Sequence, residues 1–275
     1  MRDETAAPTL LAVAHGTRDL AGVAAYRALL DLVRARRPGL TAELSFLGLA
    51  LPTPAQVLAV CRGPVVLVPL LLNTGHHVTV DLPAVRAAAP HPDIRQAAPL
   101  GPDPLLAAAL ADRLSEAGRL SDTSRLSEAG RLSDAGRLSE AGRSARGHGP
   151  SGPDAVVLAA AGSTDPAARA DTEVMAGLLR ERLGRPVVAA YLCANAPSPA
   201  EAVRALRATG HRRVAVARHL MAPGHFARRA QEAGGCLVSA PLGAHPDVAR
   251  LVLKRFDEAS GEAARCPAGA ATRTV

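Results

Sequence analysis

Residues 46–54 read FLGLALPTP, and residues 191–199 read YLCANAPSP. Both start on an aromatic followed by Leu and leave on Pro-x-Pro. A second stretch, Val13-Ala14-His15-Gly16-Thr17-Arg18-Asp19, recurs as Ala159-Ala160-Ala161-Gly162-Ser163-Thr164-Asp165. A chain that duplicates its turn chemistry in the same order folds as two related units. Each half also alternates short aliphatic runs with segments of helical period. In the first half, strands are expected at 10–14, 41–47, 65–71 and 94–98. Helices are expected at 20–36, from 54, and at 82–89 and 104–114. In the second half, strands fall at 155–160, 186–192, 214–218 and 236–239. Helices fall at 167–183, 199–208, up to 233, and 246–259. Four βα units in succession imply a parallel sheet with helices on both faces. The fold class is therefore α/β: two tandem domains, each a small parallel sheet, facing each other across a cleft. A length of 275 residues accommodates two such domains and a connection. The expected division is 1–114, a connection at 115–152, a second domain at 153–262 and a tail at 263–275.

The connection has its own signature. From Arg113 the chain reads RLSEAG, RLSDTS, RLSEAG, RLSDAG, RLSEAG. Leu at every sixth position makes no continuous helical stripe, and recurrent Gly weakens a helix. A stacked β-coil needs more turns than this segment holds. Residues 115–152 read as a flexible, charge-balanced linker.

Apolar content is carried by Ala, Val and Leu; Trp is absent, and Tyr and Phe are scarce. Small aliphatics suit buried parallel strands. They do not suit a nucleic-acid surface built on stacking aromatics, so no nucleic-acid partner is expected. Net charge is +7, and Lys254 is the only Lys. Arg forks bind carboxylates and phosphates in pairs of hydrogen bonds. A polyanionic partner fits this composition, as does Arg spread over exposed helix faces. Of the cysteines, Cys61, Cys193 and Cys236 fall in or beside expected elements, where a buried reduced thiol is the default, and with Cys266 they form no CxxC. The acidic start lacks the apolar core of a signal peptide, and the apolar run near Val65 is too short to cross a bilayer. A cytoplasmic protein with no membrane partner is the expectation.

Two polar segments interrupt the aliphatic strands at their C-terminal ends. One is His15-Gly16-Thr17-Arg18. The other is Asn73-Thr74-Gly75-His76-His77-Val78-Thr79-Val80-Asp81. In an open parallel sheet, ligands bind beyond the strand C-termini, at the point where connections diverge to opposite faces. With strands in the order 2-1-3-4, His15 and a histidine of the second segment meet there. Paired neutral imidazoles bind Fe²⁺, Co²⁺, Ni²⁺ and Zn²⁺, and can take up protons near neutral pH. The competing reading is a pair of histidines satisfied by local backbone. No GxSxG elbow, phosphate loop or GxGxxG is present.

These segments resemble the sirohydrochlorin chelatase family of CbiX and SirB type, within the class II chelatases. The family opens on a strand ending in HG-[ST]-R, here His15 to Arg18. It continues with a strand ending in P-L that runs into G-x-H-V-x-x-D-[IL]-P, here Pro69-Leu70 and Gly75 to Pro83. The resemblance spans both halves and implies two chelatase-like domains. It implies a catalytic and metal-binding pair, His15 and His77, with His76 at a variable position lining the cleft. Arg18, Thr17, Asn73, Thr74, Gly75 and His76, in or beside these motifs, are the expected substrate-binding residues, with Arg18 gripping a carboxylate; His225, which falls on no family position, is a further candidate from the second half. The implied activity is insertion of Fe²⁺ or Co²⁺, with Ni²⁺ as a further candidate, into sirohydrochlorin on the way to sirohaem or cobalamin. No cofactor beyond the substrate metal is implied. The partners are the polycarboxylate tetrapyrrole and the ion, and the chain is expected to be a monomer of two pseudo-symmetric halves. The second half departs from the pattern: Ala161 replaces His15, Phe226 replaces His77, and Ala230 replaces Asp81. One metal site, in the first half, is expected. Arg218, His219 and His225 are expected to meet substrate carboxylates. The alternatives are a metal- or tetrapyrrole-binding protein without turnover, and a porphyrin ferrochelatase.

Overall fold

The computed structural model describes residues 7–89, 93–134 and 152–261, with side chains up to 121 in the second stretch. The first half runs β1 (Thr9–Ala14), α1 (Leu20–Arg36), β2 (Ala42–Phe46), α2 (Pro54–Leu58) and β3 (Val65–Pro69). A turn of π-helix (His77–Asp81) follows, then α3 (Leu82–Ala88), β4 (Ile94–Gln96) and α4 (Pro104–Asp134). The second half runs β5 (Ala155–Ala160), α5 (Pro166–Leu183), β6 (Val187–Tyr191), α6 (Pro199–Ala208), β7 (Val214–His219), α7 (His225–Gln231), β8 (Leu237–Val238) and α8 (Pro246–Ser260). The strands form two four-stranded sheets in the orders β2-β1-β3-β4 and β6-β5-β7-β8. Every pairing is parallel. This is the α/β fold expected from the repeated βα pattern.

The duplicated turn chemistry makes duplicated structure. Asp19 caps α1 by accepting from Ala21 N, and Asp165 caps α5 by accepting from Ala167 N. Thr53 with Gln56, and Ser198 with Glu201, build reciprocal capping boxes at α2 and α6. β1 and β5 are buried along their whole length, as central parallel strands covered on both faces must be.

Two compact units emerge: Met1–Leu105 with Gly243–Val275, and Leu106–Leu242. In the first, Leu11, Val13, Val65 and Leu67 pack with Val57, Leu58 and Leu82 from α2 and α3. Strand alternation turns Leu10, Ala12, Val66 and Val68 to the opposite face, where α8 contacts β3, β4 and α1. Polar clasps fix α8 there. Arg37 donates to both oxygens of Asp257 at 2.5 and 2.7 Å. Buried Asp103 accepts from Lys254 Nζ at 2.7 Å and Arg255 Nη2 at 3.3 Å. In the second unit, Val157, Val214 and Val216 pack with Val203 and Leu206 of α6 and Ala227 of α7. Arg113 of α4 donates to the Leu242 carbonyl at 2.8 and 3.1 Å. The last helix of each repeat thus belongs to the unit holding the other repeat's sheet.

The expectation of a flexible linker over 115–152 is corrected where residues are described: α4 continues through Asp134. Arg, Leu, Glu and Ala are good helix formers, and one Gly per six residues costs only about 1 kcal/mol. The Arg113–Glu116 ion pair, at 2.8 Å, adds i,i+3 support. Residues 135–151 of that reading lie outside the described residues. The expectation of buried thiols is also corrected. Cys61 and Cys193 are half-buried and Cys236 is exposed, all three as free thiols, while Cys266 lies outside the described residues. Among the described residues, no helix is long and apolar enough to cross a membrane.

Candidate functional site

His15 leaves the C-terminal end of β1, and His77 follows the exit of the adjacent strand β3. Their rings lie 4.6 Å apart, centroid to centroid, at 76°. The 2-1-3-4 order therefore brings together the two histidines that the motifs singled out.

The β1 exit is built by close backbone approach. Gly16 has φ +100°, and a Cβ there would lie 1.7 Å from the Gly48 carbonyl oxygen. Only glycine satisfies both conditions. Gly48 N donates to the His15 carbonyl at 3.1 Å, which ties the β2 exit to the first histidine. Thr17 Oγ1 accepts from Asp19 N at 3.1 Å, closing the turn that starts α1. Arg18 is exposed on that turn.

The β3 exit winds into a π-turn. Val78 N and Thr79 N both donate to the Gly75 carbonyl, at 2.8 and 3.0 Å. Leu82 N reaches back to the His77 carbonyl. Gln96 of β4 donates through Nε2 to the Val78 carbonyl at 2.9 Å, anchoring the turn to the sheet. Single π-turns of this kind recur at functional sites. Asn73, Thr74 and Gly75 are half-buried, and His76 is exposed.

Hydrogen bonding sets both imidazoles in one orientation. His77 Nδ1 lies 2.5 Å from Asp81 Oδ2, an acceptor, so Nδ1 carries the proton and Nε2 presents its lone pair. His15 Nδ1 lies 3.2 Å from the Gly16 carbonyl oxygen, another acceptor. Its Nε2 is likewise left as the donor atom. A carboxylate or carbonyl on the far nitrogen is the usual support of a metal-ligating histidine. Asp81 Oδ1 also lies 3.7 Å from His76 Nε2, whose ring centroid is 6.3 Å from that of His77. Sequence reasoning placed Asp81 in the motif but not among the site residues. Its i+4 spacing from His77 was the available signal, since such residues share a helical face. Among the described residues, no group of three or more His, Cys, Asp or Glu is placed to hold a metal. The imidazole pair leaves most of an ion's coordination open.

The equivalent point of the second half is apolar. Ala161 and Phe226 pack against the core of their own unit, and Ala230 is buried. His225 is exposed, its ring 5.6 Å from that of Phe226. The expectation that His219 meets substrate is corrected: its side chain is 2% exposed, at the register where the first half has Leu70. His219 is the last residue of β7, and its pairing with Ala160 of β5 keeps it inside the sheet. Burial pushes its pKa down to about 4. Arg218 is half-buried and donates through Nη2 to Gln231 Oε1.

The model of the CbiX family matches residues 9–117 and 155–259, both halves of the repeat. A comparison with curated proteins returns no match. Among solved structures, SirB from Bacillus subtilis with Fe³⁺ is 24% identical, with a TM-score of 0.69 over 94% of this chain and 98% of that one. SirB from Bacillus subtilis subspecies spizizenii in complex with cobalt is 21% identical, with a TM-score of 0.65 over the same shares. CbiX, described as the terminal enzyme for biosynthesis of siroheme in denitrifying bacteria, is 21% identical, with a TM-score of 0.61 over 91% of this chain and 99% of that one. The tandem α/β architecture is shared with all three.

Proposed function

As this chain belongs to the CbiX family, we propose that it is a sirohydrochlorin chelatase inserting Fe²⁺ or Co²⁺ through the His15–His77 pair. The observation that carries the reading is the geometry of that pair: two imidazoles at adjacent strand exits, both with Nδ1 engaged and Nε2 available. The solved structures of similar fold contain iron and cobalt, the ions a pair of imidazoles accepts.

The chemistry asks three things of the chain. An aqueous ion must lose water, the macrocycle must lose two inner N–H protons, and the ion must then leave the protein. Two imidazole nitrogens displace part of the hydration shell without enclosing the ion. Neutral donors in so small a set hold it loosely enough for transfer to four ring nitrogens. As the ion passes to the macrocycle, each Nε2 regains a free lone pair and can take up one of the released protons. The same atom thus serves first as ligand and then as base. Arg18, exposed on the turn after His15, supplies a guanidinium for a peripheral carboxylate. Asn73, Thr74, Gly75 and His76 line the approach on the β3 exit. The second half carries no metal pair, so one metal site per chain is the proposed count.

The test is anaerobic mixing of the full chain with sirohydrochlorin and Co²⁺ or Fe²⁺, followed by absorbance. Insertion faster than the spontaneous rate supports the assignment. A rate equal to that without protein, for both metals, excludes it.

A further inference from the structure

Among the described residues, seven large hydrophobic side chains are exposed. Val60, Leu120 and Val174 stand on separate helices or helix ends. The other four lie in the segments that follow β1, β2 and β3 beyond the His15–His77 edge, Leu20 as the first residue of α1. Leu20, 83% exposed, follows the β1 exit. Leu49 and Leu51, 54% and 66% exposed, lie on the β2 exit. Val80, 48% exposed, lies in the same π-turn as His77. The β2 exit is tied to His15 through Gly48 N, so these connections share one neighbourhood.

The second half provides an internal control. It has the same sheet order, and its β6 exit follows the same path: Ala194 has φ +60° where Leu49 has φ +64°. A left-handed backbone disfavours any residue with a Cβ, and a bulky one most. The path therefore does not call for leucine. The half without the histidine pair lacks all four aliphatic side chains. Pro166 stands for Leu20, Ala194 for Leu49, Ala196 for Leu51 and Arg229 for Val80. The second half thus lacks both the imidazole pair and these four side chains.

We propose that Leu20, Leu49, Leu51 and Val80 form an apolar seat for one flat face of the macrocycle, beside the imidazole pair that addresses its centre. This rests on the chelatase reading above. A tetrapyrrole combines a conjugated apolar face with a rim of carboxylates. Charged groups such as Arg18 can grip the rim, but only apolar surface gains by covering the face. The seat sets the height and tilt of the ring over the two Nε2 atoms. It contributes nothing to holding the ion itself.

The experiment separates the two binding events in the full-length protein. Metal-free sirohydrochlorin is titrated by fluorescence, and Co²⁺ by calorimetry, into the unaltered chain, Leu49→Ser/Leu51→Ser, Leu20→Ser, and Val174→Ser as a distant aliphatic control. The seat predicts that the double variant binds sirohydrochlorin about tenfold more weakly or worse, from the ordinary worth of a buried aliphatic side chain. Leu20→Ser should shift in the same direction. Co²⁺ affinity and melting temperature should stay as in the unaltered chain, and Val174→Ser should match it throughout. Equal sirohydrochlorin affinity in the unaltered chain and both seat variants overturns the seat alone. Absence of sirohydrochlorin binding by the unaltered chain overturns the chelatase reading and the seat with it.

Discussion

His219→Leu should stabilise the protein, and by more at acid pH than at neutral pH. His219 is 2% exposed, and neither ring nitrogen has a hydrogen-bond partner among the described residues. A buried unsatisfied N–H costs about 1–3 kcal/mol. The equivalent position of the first half shows that leucine fits such a site, since Leu70 is 1% exposed there. The pH term adds to this. Burial lowers the pKa of His219 from 6.5 to about 4. The unfolded chain therefore binds a proton between those values while the folded chain does not. Stability from this group is complete above pH 6.5 and is lost as pH falls towards 4, by about 2 kcal/mol at pH 5 and about 3 kcal/mol at pH 4. Urea unfolding of the unaltered chain and of His219→Leu, at pH 7.5 and pH 5, measures both terms. The variant should gain about 1–2 kcal/mol at pH 7.5, and the gap should widen by about 2 kcal/mol at pH 5. A variant less stable at both pH values, or a gap independent of pH, would refute the reasoning.

Gly16→Ala should collapse the β1 exit, because the new Cβ would lie 1.7 Å from the Gly48 carbonyl oxygen at a φ of +100°; loss of both metal insertion and melting temperature checks it. Asp81→Asn should leave sirohydrochlorin affinity intact but reduce insertion about 10- to 100-fold, since the amide no longer fixes the Nδ1–H tautomer of His77; titration and turnover together read this. Asp103→Ala should destabilise by about 1–2 kcal/mol, because it removes the buried carboxylate that accepts from Leu105 N at the start of α4 and from Lys254 and Arg255; chemical unfolding measures it, and unchanged sirohydrochlorin binding by the folded fraction would show the effect to be structural.

The strands and most helices were legible because their signals are local. Aliphatic runs such as Thr9–Ala14, Asp caps at α1 and α5, and the Thr53 and Ser198 capping boxes act within a few residues. The meeting of His15 with His77 was legible through the motifs and the preferred strand order. The grouping of α8 with the first sheet was not, because amphipathicity tells a helix which face to bury and not which sheet will receive it. The pairing of Asp103 with Lys254 and Arg255, far apart in sequence, belongs to the same non-local class. Continuation of α4 into the six-residue repeat was missed for a different reason: absence of an apolar stripe argues against packing, not against helix. The burial of His219 was hidden by its type. A polar residue at the last position of a strand reads as the start of a loop, although the register opposite Ala160 keeps it inside the sheet.

The central claim is that two imidazoles in one half of the chain carry metal into the macrocycle. The most direct measurement is the rate of Co²⁺ insertion into sirohydrochlorin by the unaltered chain, His15→Ala and His77→Ala, each checked for an unchanged melting temperature, with His76→Ala as the neighbouring control. The account predicts that either loss brings insertion down to the spontaneous rate, while His76→Ala retains most of it. Near-normal insertion by a folded His15→Ala or His77→Ala variant would contradict it.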